Sequence, residues 1–157
     1  MKQKVVLAFS GGLDTSYCVK YLSQEKNLDV YTAIVNTGAF SKEELDDYAT
    51  KAKNLGAVEH IVLDVTDKYY DECLRYLIYG NVLKNSTYPL SVSSERVFQA
   101  MALAEYAENI HADYIAHGST GAGNDQAFAG RSSGPSARCP RSAGASAGVR
   151  RGPVPRR

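Results

Sequence analysis

Five consecutive apolar residues, Val5-Val6-Leu7-Ala8-Phe9, run directly into Ser10-Gly11-Gly12-Leu13-Asp14-Thr15-Ser16, and this junction constrains the fold more than any other stretch. The apolar run suits a short strand buried on both faces. Behind the glycines, Tyr17-Cys18-Val19-Lys20-Tyr21-Leu22 carries helical spacing. A strand that enters a helix through a glycine turn presents several backbone N–H groups at the positive end of the helix dipole. Gly11 and Gly12 can take positive φ and leave no Cβ in the way of a ligand. Ser10, Thr15 and Ser16 add hydroxyl donors, and the natural guest is a phosphate chain. An ordinary strand–helix turn with a Ser or Asp cap is the plainer alternative. The spacing is neither the G-x-x-x-x-G-K-[ST] loop nor the G-x-G-x-x-G fingerprint.

The rest of the first 126 residues repeats this alternation. The first helix is expected over about 14–26. Val30-Tyr31-Thr32-Ala33-Ile34-Val35 is apolar and β-branched, as a buried parallel strand should be, and ends in the turn residues Asn36-Thr37-Gly38. Ser41 and Glu44 form a capping-box pair, followed at helical spacing by Leu45, Tyr48, Ala49, Ala52 and Leu55, with Gly56 as the stop. A third strand is expected over 59–65. A helix capped by Asp67 should then run through Tyr70, Leu74, Leu77 and Ile78 to Gly80. Residues 81–89 read as a loop, and Ser91 to Ser94 offer caps for a helix with Val97, Met101, Ala104 and Ala107 on its apolar face. A fourth strand, Asp113-Tyr114-Ile115-Ala116, empties into His117-Gly118-Ser119-Thr120-Gly121-Ala122-Gly123-Asn124-Asp125. Strands and helices alternating in this way predict βαβ units and a three-layer α/β/α domain on a parallel, Rossmann-like sheet. Ligands in such sheets sit beyond the carboxyl ends of the strands.

Charge divides the chain in two. Residues 1–126 hold 11 Lys and Arg against 17 acids, whereas residues 127–157 hold seven Arg and no acid. The second part lacks Leu, Ile, Tyr and Lys as well, so it cannot bury enough apolar surface to order itself. Disorder is expected over 127–157. Out-of-frame translation of a GC-rich gene produces such a composition; a basic arm for nucleic acid is the alternative reading. No apolar run approaches the ~20 residues of a membrane span, and residues 1–4 do not open a signal peptide. Three cysteines, Cys18, Cys73 and Cys139, have no metal-like spacing and fit reduced thiols in a cytoplasmic protein.

Ser10 to Ser16 resembles the pyrophosphate loop of the N-type ATP pyrophosphatases, S-G-G-x-D-[ST]-[ST]. With Leu13-Asp14-Thr15-Ser16 it is similar to that of the argininosuccinate synthetase family in particular. Tyr88-Pro89-Leu90-Ser91-Val92-Ser93 matches that family's Tyr-x4-Ser segment, and the block from His117 to Gln126 matches its H-G-[AS]-T-G-x-G-N-D-Q pattern. The resemblance covers residues 1–126, which it implies are an ATP-binding domain. The family joins citrulline to aspartate: the ureido oxygen attacks the α-phosphate of ATP, pyrophosphate leaves, and the aspartate amine displaces AMP.

Carried over by position, the resemblance implies ATP contacts at Ala8, Phe9, Ser10, Gly11, Gly12, Leu13, Asp14, Thr15, Ser16 and Gly118. It implies citrulline contacts at Tyr88, Ser93 and Asn124, and aspartate contacts at Thr120, Asn124 and Asp125. Asp14 either helps hold Mg²⁺ or caps its helix. No residue reads as a covalent nucleophile, which suits chemistry by positioning. Neither a membrane nor nucleic acid is expected as partner. The family is homotetrameric, through a region absent here.

The chain departs from the pattern after Gln126: the family has an Arg two residues on, and this chain has Phe128. The expectation is a chain that binds ATP weakly and does not complete the reaction. The alternatives are another enzyme of the same loop superfamily, such as a tRNA thiolase, and a non-enzymatic nucleotide- or RNA-binding module that uses the basic tail.

Overall fold

Strand β1 (Lys4–Ala8) lies at the centre of a parallel sheet, with β2 (Asp29–Asn36) on one side and β6 (Tyr114–His117) on the other. The computed structural model describes residues 2–118 and 136–138. Beyond β2 lies β3 (Glu59–Asp64), and beyond β6 lies β7 (Ser136–Arg138), giving the order β3-β2-β1-β6-β7. The chain therefore builds outward through β2 and β3, then crosses back to β6. The order reverses between β1 and β6, which is where a doubly wound sheet opens a crevice.

Side chains alternate across β1. Val5 and Leu7, with Phe9 just beyond the strand, join Cys18, Val19, Leu22 and Ala52 in one core; Val6 joins Ala33 and Ala107 in the other. Helices α1 (Leu13–Lys20) and α2 (Lys42–Asn54) thus cover one face. Helix α5 (Ser91–Asn109) covers the other, through Leu103, Tyr106 and Ala107. The expected α/β/α layering is present. At α2 the capping box forms in full: Ser41 Oγ accepts the Glu44 N–H (3.3 Å) while Glu44 Oε2 accepts the Ser41 N–H (2.9 Å). Gly56, at φ +101°, ends the element as expected.

Several expected boundaries shift. The first helix stays α-helical only to Lys20 and then widens into a π-helical turn, Tyr21–Glu25, closed by Lys26 N–H to Tyr21 O (3.2 Å). Apolar spacing cannot distinguish one such wide turn from an α-turn. A second π-turn, Tyr70–Leu74, divides the expected third helix into α3 (Thr66–Tyr69) and α4 (Arg75–Tyr79). Its entry is served by Asp64, which accepts the Thr66 N–H at 2.9 Å; Asp67 lies inside the first turn. The expected loop over 81–89 contains a small antiparallel ribbon, β4 (Leu83–Lys84) with β5 (Tyr88–Pro89). The serines of α5 do not cap it: Leu90 occupies that position without a side-chain bond, and Ser94 turns back to the Ser91 carbonyl at 3.0 Å.

The fourth strand starts one residue later than expected because Asp113 is spent on the Lys4 N–H at 2.8 Å. Within the stretch 127–157, residues 136–138 lie along β6 as β7; an open strand edge accepts any extended segment whatever its side chains. The remainder of that stretch lies outside the described residues. Cys73 is a free thiol and Cys18 is buried in the core; Cys139 lies outside the described residues. Among the described residues no helix is long and apolar enough to cross a membrane.

Candidate functional site

Phe9 ends the strand run, buried and bonded through its N–H to the Ala33 carbonyl (2.9 Å). The next four residues make the turn. Gly11 takes φ +71°, a left-handed conformation that favours glycine. Gly12 then becomes the N-cap of α1 with no side-chain cap bond, so the first-turn N–H groups have no capping side chain. Gly12, Leu13 and Asp14 are open to solvent while Gly11 is buried. Asp14 sits in the first turn, where a carboxylate complements the helix dipole, but it does not cap α1.

The hydroxyls are committed differently from the sequence expectation. Ser16 Oγ donates to the Gly12 carbonyl at 2.7 Å, and Thr15 Oγ1 donates to the same oxygen at 3.2 Å. Both side chains are buried. They hold the turn from behind, and the ready donors at the mouth are backbone N–H groups and Ser10, which lies 3.3 Å from Thr15 Oγ1.

Gly118, directly after β6, lies against this turn. A Cβ there would stand 3.1 Å from Thr15 Cγ2 and 3.8 Å from Asp14 Cβ, so the absence of a side chain lets the two loops meet. Their meeting place opens into a cavity of about 420 Å³. Of the residues expected to contact ATP, Ala8, Phe9, Ser10, Asp14, Thr15 and Gly118 line it. Gly11 is covered by Tyr48, Leu13 is 86% exposed, and Gly12 and Ser16 are not among the lining residues.

The cavity also contains residues that sequence reasoning missed. Ala33, Ile34 and Val35 at the end of β2, with Phe40 and Leu103, make an apolar wall; Arg96 and Gln99 on α5 add polar groups. Arg96 Nη1 donates to Gln99 Oε1 (3.1 Å), Gln99 Nε2 to Glu95 Oε1 (2.9 Å), and Thr37 Oγ1 to the same Glu95 oxygen (2.8 Å). This chain of bonds ties α5 to the loop that follows β2. A signal for Arg96 was available, since it lies one helical turn beyond Ser93; Phe40 stood out as an aromatic in a polar loop.

The remaining expected contacts are less completely placed. Ser93 is half-buried in the first turn of α5 and does not line the cavity. Tyr88 is on β5, and its side chain lies outside the described residues, as do Thr120, Asn124 and Asp125. His117 is buried and lines the cavity. For a metal, the described residues hold no group of three or more His, Cys, Asp or Glu. Asp14 is the single carboxylate among the cavity's lining residues. One carboxylate is enough for a Mg²⁺ that keeps most of its water and takes its other ligands from bound phosphates.

Comparison with known proteins agrees with this architecture. Residues 4–131 match the family model of the arginosuccinate synthase N-terminal HUP domain. The argininosuccinate synthase of Staphylococcus carnosus is 42% identical over 126 residues, covering 80% of this chain and 31% of the relative. That of Staphylococcus haemolyticus is 43% identical over the same length and shares. The chain therefore spans about a third of the length of these curated relatives. The NMN synthetase of Francisella tularensis superposes with a TM-score of 0.55 at 15% identity, over 73% of this chain and 44% of that one, a likeness of fold. A parallel sheet whose glycine turn after β1 meets Gly118 at the end of β6, with relatives of this identity over four-fifths of its length, places the chain in the argininosuccinate synthase family, as its N-terminal HUP domain.

Proposed function

We propose that this chain is the ATP-binding part of a cytoplasmic argininosuccinate synthase. The observation that carries the reading is the approach of Gly118 to Thr15 and Asp14 across the point where strand order reverses. The glycine turn and Gly118 then face one cavity, the turn suited to phosphates and Gly118 leading in sequence to Thr120, Asn124 and Asp125.

The leaving pyrophosphate takes the uncapped N–H groups at the start of α1, with Ser10 beside them. These dipoles are in place before reaction, so charge developing as the α–β bond breaks meets donors that need not reorganise. The apolar wall of Ala33, Ile34, Val35, Phe40 and Leu103 suits the flat face of adenine. Asp14 would hold Mg²⁺, which would supply neutralisation of phosphate charge when bound. Tyr88, Ser93 and Asn124 hold citrulline, while Thr120, Asn124 and Asp125 hold aspartate. Carboxylates call for hydroxyl or amide donors, and an ammonium group calls for a carboxylate. The ureido oxygen of citrulline attacks the α-phosphorus and expels pyrophosphate; the aspartate amine then displaces AMP. With Phe128 at the family's Arg position, the chain by itself binds ATP and does not complete this reaction.

Calorimetric titration of the full chain with ATP and Mg²⁺ tests the site against Gly12→Asp. Gly12 sits at φ −73°, and a Cβ there meets nothing nearer than Ser10 Oγ at 3.6 Å, so the variant adds a negative charge with little steric disturbance. Binding by the wild type and none by the variant is expected; equal heats overturn the reading. Citrulline-dependent pyrophosphate release by the purified chain would overturn the reading that it does not complete the reaction.

A further inference from the structure

We infer that Lys51 and Tyr48 of α2 are positioning residues for the phosphate turn, clamping Gly11 from behind so that the N–H of Gly12 is turned away from α2, on the solvent-open side of the turn. This rests on the phosphate-site reading and adds to it two side chains 37 and 40 residues along the chain from Gly11.

Gly11 and Gly12 are neighbours with opposite environments, the first buried and the second open. What buries Gly11 is α2. The Tyr48 ring lies so close that a Cβ on Gly11 would stand 2.3 Å from Cε1 and 2.4 Å from Cδ1. Beside it the Lys51 ammonium donates to the Gly11 carbonyl oxygen. Gly11 is thus required twice, by its φ of +71° and by the ring against it. The peptide unit that follows is planar and trans, so its carbonyl and its N–H point in opposite directions. Pinning the Gly11 oxygen to Lys51 therefore turns the Gly12 N–H away from α2. A charged donor also polarises that peptide and strengthens the N–H as a donor to an anion.

The clamp reaches the cavity wall. Tyr48 meets Phe40 edge to face, with centroids 5.8 Å apart and planes at 85°, and Phe40 lines the cavity. One aromatic pair therefore links the apolar wall to the turn.

The test is calorimetric titration of the full chain with inorganic pyrophosphate, alongside the melting midpoint and the Gly12 amide ¹⁵N resonance. Lys51→Met is expected to weaken pyrophosphate binding roughly tenfold or more, the scale of one charge-assisted hydrogen bond, and to move the Gly12 resonance in ligand-free protein. Lys51→Arg should recover most of the affinity. Tyr48→Phe keeps the ring carbons against Gly11 and should bind as wild type, whereas Tyr48→Ala should bind more weakly. Lys51 is an exposed residue whose ammonium alone reaches Gly11, so its substitution should lower the midpoint by no more than the loss of that one hydrogen bond. Wild-type affinity in Lys51→Met, or a loss that only follows a lowered midpoint, overturns the positioning role. A wild-type chain that takes up no pyrophosphate overturns the phosphate-site reading and the role with it, an outcome visible before any variant is compared.

Discussion

The carboxyl edge of β1 and β6 and the segment from 66 to 90 handle their apolar residues in opposite ways. At the sheet, Val5, Val6, Leu7, Val19 and Val30 are wholly enclosed, and the glycine turns above them are set by side chains from other elements. Across α3, its π-turn, α4 and the β4–β5 ribbon, only Tyr69 is buried among the described residues. Its hydroxyl donates to the Ser91 carbonyl (2.7 Å) and its ring packs on Phe98 with centroids 5.0 Å apart, so one side chain anchors the segment to α5. Tyr76, Ile78 and Tyr79 stand 58%, 65% and 84% exposed. Strands enclosed by helices on both faces complete their core among themselves. A short broken helix beside a two-residue ribbon has too few inward positions to do so.

The largest expected effect lies in the sheet. Leu7→Ala should cost about 2–5 kcal/mol in urea unfolding, because the space left between layers cannot close. A loss under about 1 kcal/mol would break the contrast.

A smaller effect, confined to the acid side, belongs to His60 on β3. Its Nδ1 lies 2.9 Å from the buried Thr32 hydroxyl, Nε2 has no hydrogen-bond partner among the described residues, and the ring meets Phe9 edge to face at 5.8 Å. Burial, with the Lys53 ammonium adding to it, holds its pKa below the ordinary value of 6.5. The unfolded chain therefore takes up a proton that the folded chain resists. Stability from this residue is complete above the unfolded value, and falls as the pH drops from there toward the folded value. Unfolding midpoints at pH 8 and 5.5 should fall further apart in wild type than in His60→Gln; equal spacing would remove His60 from the sheet's acid sensitivity.

The smallest effect sharpens the other side of the comparison. Tyr79→Ser should change stability by no more than about 0.5 kcal/mol, since an exposed ring has little burial to lose. A cost as large as that of Leu7→Ala would show that the ring is enclosed after all.

Much of this was legible in the residues. The apolar runs at 5–9 and 30–35, the Ser41–Glu44 box and Gly56 are local signals, and the elements they predict appear with bounds within one residue of those expected. The misread features were also local in kind but lacked a distinct signature. A π-turn has nearly the same apolar spacing as an α-turn, and Asp64 and Asp67 are both plausible caps until the backbone chooses one. In the site, the glycine motifs pointed to the turn and to Gly118. Ser16 was read as a ligand donor, yet its hydroxyl is spent on Gly12. Phe40, Arg96 and Gln99 were missed because they reach the cavity from elements read for helix and loop pattern alone.

By itself the sequence determined the alternation of strands and helices, the glycine turn after β1 and the change of character after residue 126. Each of these depends on residue types within a few positions of one another, where periodicity, φ preference and composition act directly. Only the tertiary structure decided that β6 returns to the far side of β1, that Gly118 thereby meets Thr15, and that Tyr48 and Lys51 lie over Gly11. Those are contacts between residues about 40 to 100 positions apart. They follow from the crossover of the chain and the packing of whole layers, which no local pattern encodes.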